Sequence, residues 1–152
     1  MLQRLLDLFA LQPEPAAPPP PALRTVLVAL LVRAARASDV EEPEQSAMIE
    51  TVLQERYALA HDAQHALLRE ARALEARTGD TVHLTLGAKQ EVALDDRPGL
   101  LTDMWRIILA DGGRHENEDG LMRLVSSLLG LPDRESAFAR QRAIAALRKA
   151  EA

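Results

Sequence analysis

Cysteine is absent from the 152 residues, and phenylalanine, tryptophan and tyrosine together supply only 3% of them. Without thiols, a disulfide scaffold, a Cys-ligated zinc site, an iron–sulfur cluster and a cysteine nucleophile are all excluded, so the core must hold by packing alone. So few aromatic rings leave little for base stacking. With 18 basic against 23 acidic side chains, a net charge of −5, the chain is poorly suited to tracking phosphates, and nucleic acid is not an expected partner. Cationic ligands or basic protein surfaces fit the charge better. A long apolar run is missing too. The longest fully apolar stretch, Val26 to Val32, is closed by Thr25 and Arg33, well short of the roughly 18 residues that span a bilayer. Met1 to Gln12 lacks a basic leader followed by an apolar stretch and a small-residue cleavage site. The expectation is a cytoplasmic protein without an integral membrane segment.

What the chain does contain is alanine and leucine, which dominate the 47% hydrophobic share and favour helix. An all-α fold follows. Residues 2–10 place Leu2, Leu5, Leu6 and Phe9 on one face of a short helix. Pro13, Pro15 and Pro18 to Pro21 then impose an extended spacer. Residues 1–21 therefore read as a short helix and linker, and residues 22–152 as a single domain. The leading segment suits a strap that lies back on the domain, a ligand for a proline-binding module, or a helix for peripheral membrane association.

From Ala22 the apolar spacing is helical. Leu23, Val26, Leu27, Leu30, Leu31, Ala34 and Ala35 make one stripe over 22–37. Pro43 among Glu41, Glu42 and Glu44 marks the start of a second helix, with Met48, Ile49, Val52 and Leu53 inward. A third is predicted from about Asp62 to a stop at Gly79. In 81–92, Asp80 or Thr81 offers a helix cap, yet Val82, Leu84 and Leu86 alternate like a strand. A fifth helix carries Leu100, Leu101, Met104, Trp105, Ile108 and Leu109. A sixth runs from about Glu116 to Leu129 and ends at Gly130, and a seventh opens at Asp133. Trp105 reads as core, and Tyr57 as an edge residue with its hydroxyl in water.

The chain also resembles itself. Setting Ala37 over Ala110 superposes 31–38 on 104–111, Arg33 on Arg106, Met48 on Leu121 and Val52 on Val125, giving two helix–acidic loop–helix halves. In the second loop, Asp111 ends a helix, Gly112 and Gly113 permit a reversal, and Glu118 lies in the next first turn. Two carboxylates and freed carbonyls suit a hard divalent cation such as calcium or magnesium. The same residues equally suit a turn-capping Asp111, with Glu116 and Glu118 facing the helix N-terminus.

The run 104–131, with its approach DDRPGLLTDMW and its echo ALLVRAARASDVEEPEQSAMIETVL, resembles the TerB family of tellurite-resistance-associated proteins, most closely the stand-alone bacterial members. The resemblance spans about Leu23 to Phe138. It implies a compact bundle of about seven helices in two repeated halves, a helix over 81–93, and acidic loop residues that bind divalent metal. It also implies a cytoplasmic role in bacterial stress or metal response near the membrane. Asp111, Gly112 and Glu118 fit the motif. The first copy departs from it, with Ser38 in place of Asp, Asp39 in place of Gly and Gln45 in place of Glu. Metal ligands on this reading are Asp111 and Glu118, with Asp39, Glu41 or Glu42 supplying the first loop's anion.

Other constellations are thinner. His61 and His65 stand four residues apart on a helix, a spacing that suits zinc, but without the Glu of a metalloprotease motif. His83 reads as a packed or capping residue, and His115 as an exposed loop residue. No nucleophile elbow, glycine-rich phosphate loop or P-loop lysine is present. The leading expectation is a non-catalytic interaction or sensor module with a protein partner, and self-association into a homodimer is compatible with it. The alternative is a small metal-dependent hydrolase using Asp111, His115 and Glu118.

Overall fold

The computed structural model describes residues 22–113 and 117–151, together with Leu2 and Arg4. The rest of the expected helix over 2–10, the proline spacer, His115 and Glu116 lie outside the described residues. Seven helices follow in order: α1 (Leu23–Ala35), α2 (Pro43–Tyr57), α3 (His61–Arg77), α4 (Thr81–Glu91), α5 (Arg97–Leu109), α6 (Asn117–Leu128) and α7 (Asp133–Glu151), with a 3₁₀ turn at Leu94–Asp96. Among the described residues there is no strand, and no helix is long and apolar enough to cross a membrane.

Helix α1 is the centre. Leu27, Val28, Ala29, Leu30, Leu31 and Val32 are all fully buried, so the expected stripe widens to burial on every side, as an all-round apolar helix requires. It packs against α3, α4 and α5. Leu100, Leu101, Met104, Ile107 and Ile108 of α5 complete the core. Where α4 crosses α1, a Cβ on Gly87 would lie 2.6 Å from Val26 Cγ1. This close approach is why a glycine sits inside a helix despite its propensity cost.

The helix ends follow local chemistry. Asp80 caps α4 by accepting from the His83 N–H at 2.7 Å, and Gly130, at φ +76°, lies beyond the end of α6. Helix α3 stops at Arg77 rather than at Gly79. Thr78 turns extended there and returns its hydroxyl to the Leu74 carbonyl at 2.7 Å. Arg97 caps two helices at once, donating to the carbonyls of Val92 (3.2 Å) and Lys89 (3.4 Å) after α4 and of Leu129 (3.2 Å) after α6.

The internal repeat extends further than two helices. Helix α1 packs chiefly on α3 among its own half, and α5 chiefly on α7. The units α1–α2–α3 and α5–α6–α7 are thus copies, with α4 as the link. A one-residue shift before the third helix sets His61 against Asp133.

Candidate functional site: the two inter-helix loops

The loops joining α1 to α2 and α5 to α6 begin with the same turn. Asp39 has φ +74° and Gly112, its counterpart, φ +75°. The N–H of Asp39 donates to the Arg36 carbonyl (2.9 Å), as that of Gly112 does to Leu109 (3.1 Å). Aspartate is among the few side chains that tolerate this left-handed region.

In the first loop the carboxylates turn to arginines. Glu41 pairs with Arg72 of α3 at 2.6 Å and with Arg36 at 3.9 Å, and accepts from the Ser46 hydroxyl. Glu75 of α3, only 7% exposed, pairs with Arg33 at 3.2 Å and Arg36 at 2.8 Å. The Arg33 guanidinium also donates to the carbonyls of Glu75 (3.1 Å) and Thr78 (2.6 Å), capping α3. Burial alone would push the Glu41 carboxyl up, but hydrogen bonds from Arg72 and Ser46 and the charges of Arg72 and Arg36 hold it below the usual carboxylate range. Asp39 stays exposed. Glu42 is the N-cap of α2, and its N–H donates to Gln45 Oε1 at 2.9 Å. Asp39, Glu41 and Glu42 are therefore not drawn together on one point.

Gln45 is fully buried and its Nε2 donates to the Ile108 carbonyl of α5 at 3.2 Å. Its counterpart Glu118, in the first turn of α6, is 1% exposed. Asp111 Oδ1 accepts from the Gly113 N–H at 3.0 Å, the turn-capping bond that one reading of the sequence expected. Among the described residues no group of three or more His, Cys, Asp or Glu side chains is placed to hold a metal ion.

Several contributors were missed from the sequence. Arg33 follows the seven-residue apolar run of α1 and precedes Ala34 and Ala35, and a cation set among apolar residues signals a partner. Arg106, its counterpart, pairs with Glu55 (2.7 Å) and Asp103 (3.1 Å), while Arg56 pairs with Asp103 (2.7 Å), joining α2 to α5. Trp105 is core as expected, 4% exposed, with Nε1 donating to Ser136 Oγ at 3.2 Å. Tyr57 departs from expectation: its hydroxyl is buried and has no hydrogen-bond partner among the described residues. Burial and the nearby Glu91 charge push its pKa up. His83 is a capping-turn residue, Nδ1 lying 2.6 Å from Asp80. His61 and His65 both lie within α3, exposed.

An all-α bundle of two three-helix copies, each opening through an Asp- and Glu-bearing loop, defines the class of protein. The chain matches the family model described as "Tellurite resistance protein TerB" over residues 24–141, and it belongs to that family. No curated protein and no solved structure matches it.

Proposed function

We propose that this TerB-family chain is a non-catalytic interaction and sensing module of the cytoplasm, in which only the second loop responds to a divalent cation. The observation that carries this reading is one position seen twice. Gln45 is neutral, buried and bonded at both ends of its amide, whereas Glu118 sets a carboxyl group, 1% exposed, at the start of α6. With Asp111 at the other end of the same loop it offers oxygen ligands of the kind a hard cation takes, beside a helix N-terminus that favours negative charge. Asp111 and Glu118 would be the protein ligands, with calcium or magnesium as the ion. In the first loop the arginines already neutralise Glu41 and Glu75, so that half acts as scaffold. A groove of about 410 Å³, lined by the apolar Leu27 and Val92 and by three carboxylates, Glu91, Asp95 and Asp96, against the single cation Arg56, offers a surface for a basic segment of a protein partner.

Titration of the full chain with calcium and magnesium chlorides, followed by the fluorescence of Trp105 and by Tm, tests the reading. A rise in Tm with wild type, absent with Asp111→Asn and Glu118→Gln, is expected. No response to either ion, or a response from both variants equal to that of the wild type, overturns the ion-responsive loop. A hydrolytic activity that disappears with Asp111→Asn overturns the non-catalytic reading.

A further inference from the structure

A small cavity lies between α2 and α3. It has a volume of about 70 Å³ and is lined by Glu50 of α2 and by His61, Gln64, His65 and Leu68 of α3. The two imidazole rings stand with their centres 5.1 Å apart. A zinc–nitrogen bond is about 2.05 Å and a ring nitrogen lies about 1.15 Å from the ring centre, so two imidazoles on a tetrahedral ion have centres about 5.2 Å apart. The observed separation is close to that spacing, with the ring planes 66° apart in an edge-to-face contact, so a rotation of the side chains about their own bonds is what would turn two nitrogens toward one ion. Neither ring has a hydrogen bond or ion pair with another described residue, and both side chains face solvent. Gln64 Oε1 is buried without a hydrogen-bond partner among the described residues. It is an acceptor waiting for a donor such as a metal-bound water.

We propose that His61 and His65 form a two-histidine chelate for a borderline transition-metal ion, zinc foremost, with water in the remaining positions. Imidazole nitrogen favours zinc, copper and nickel over calcium and magnesium, which prefer oxygen. The site therefore differs in chemistry and place from the Asp111–Glu118 loop. The repeat argues that the scaffold does not demand these side chains. The corresponding groove of the second half is lined by Arg123, Asp133, Ser136, Ala137 and Arg140, so Asp133 and Ala137 stand where the first half has His61 and His65. The same helix pair forms with no imidazole in it.

The test is isothermal titration of the full chain, free of any histidine tag, with zinc chloride near neutral pH. A single zinc equivalent is expected. His65→Ala should weaken binding by at least about tenfold, the loss that even a supporting residue of a metal site carries. His61→Ala, with circular dichroism to confirm the fold, is the second variant. Asp111→Asn should leave zinc binding unchanged. Absence of zinc binding, binding by the two histidine variants as tight as by the wild type, or loss of binding with Asp111→Asn overturns the proposal.

Discussion

The side-chain amide of Gln45 bridges the Glu42 N–H and the Ile108 carbonyl, at 2.9 and 3.2 Å, and thereby ties the start of α2 to the end of α5. The bridge depends on one end donating and the other accepting. Gln45→Glu keeps the shape and removes the donor, setting a buried carboxylate against a carbonyl. A loss of about 2–3 kcal/mol at neutral pH is expected, read by urea denaturation. The loss should shrink as pH falls and the new carboxyl takes up a proton, which restores a donor.

The Arg–Glu lattice makes acid a destabiliser. Glu41 is held below the ordinary carboxylate range of about 4.3, so its contribution is complete above that value and is lost as pH falls through its lower folded pKa. Glu41→Gln should reduce stability by about 1–2 kcal/mol at pH 7. The gap between variant and wild type should close below about pH 4. Thermal melts across pH 3–7 decide it, and a gap of constant size contradicts the assignment.

Glu75→Gln removes the charge that Arg33 and Arg36 share in a position 7% exposed. Breaking a buried ion pair from one side leaves the other charge uncompensated, and about 2–3 kcal/mol should be lost. Replacing Glu75 and Arg33 together should cost less than the sum of the separate changes.

Gly87→Ala pits helix propensity against packing. The propensity gain is about 1 kcal/mol, while a methyl 2.6 Å from Val26 Cγ1 must force the helices apart at a cost of about 1–3 kcal/mol. A net loss is expected. Val26→Ala in the same chain should recover part of it, a coupling that a double-mutant cycle measures.

Asp39 and Gly112 give opposite expectations from nearly equal φ angles of 74° and 75°. Asp39→Gly should stabilise by about 0.5–1 kcal/mol by relieving a left-handed L-residue, and Gly112→Ala should destabilise by about 1 kcal/mol. The shift in Tm of each variant is the check.

Those two positions also mark what could be read from the sequence. The repeat register, the start at Pro43, the stop near Gly130 and the apolar run of α1 were all legible, because each rests on chemistry local to a few residues. Helix α4 was not. Val82, Leu84 and Leu86 alternate, yet only Leu84, with Thr85 and Ala88, is buried, and the deciding contact is Gly87 against Val26 across the bundle. The third helix of the repeat was hidden by a one-residue shift. The first acidic loop was visible as charge, but not the arginines that neutralise it. Arg72 and Glu75 lie some thirty residues or more from Glu41 and Arg33, at 2.6 and 3.2 Å, and nothing in a single sequence pairs them. Tyr57 was placed at the edge, while the packing that closes over its hydroxyl comes from other helices.

Helix α1 is enclosed on every side, partly by α5 of the other copy and partly by the linking α4. A gene encoding one copy alone would therefore make a chain whose most apolar helix is naked, and such a half-length protein would have to pair with itself to fold. The present chain carries both partners of that pairing in one polypeptide. Its two loops are unequal copies in one polypeptide, one with Glu41 committed to arginine pairs and the other retaining Asp111 and Glu118.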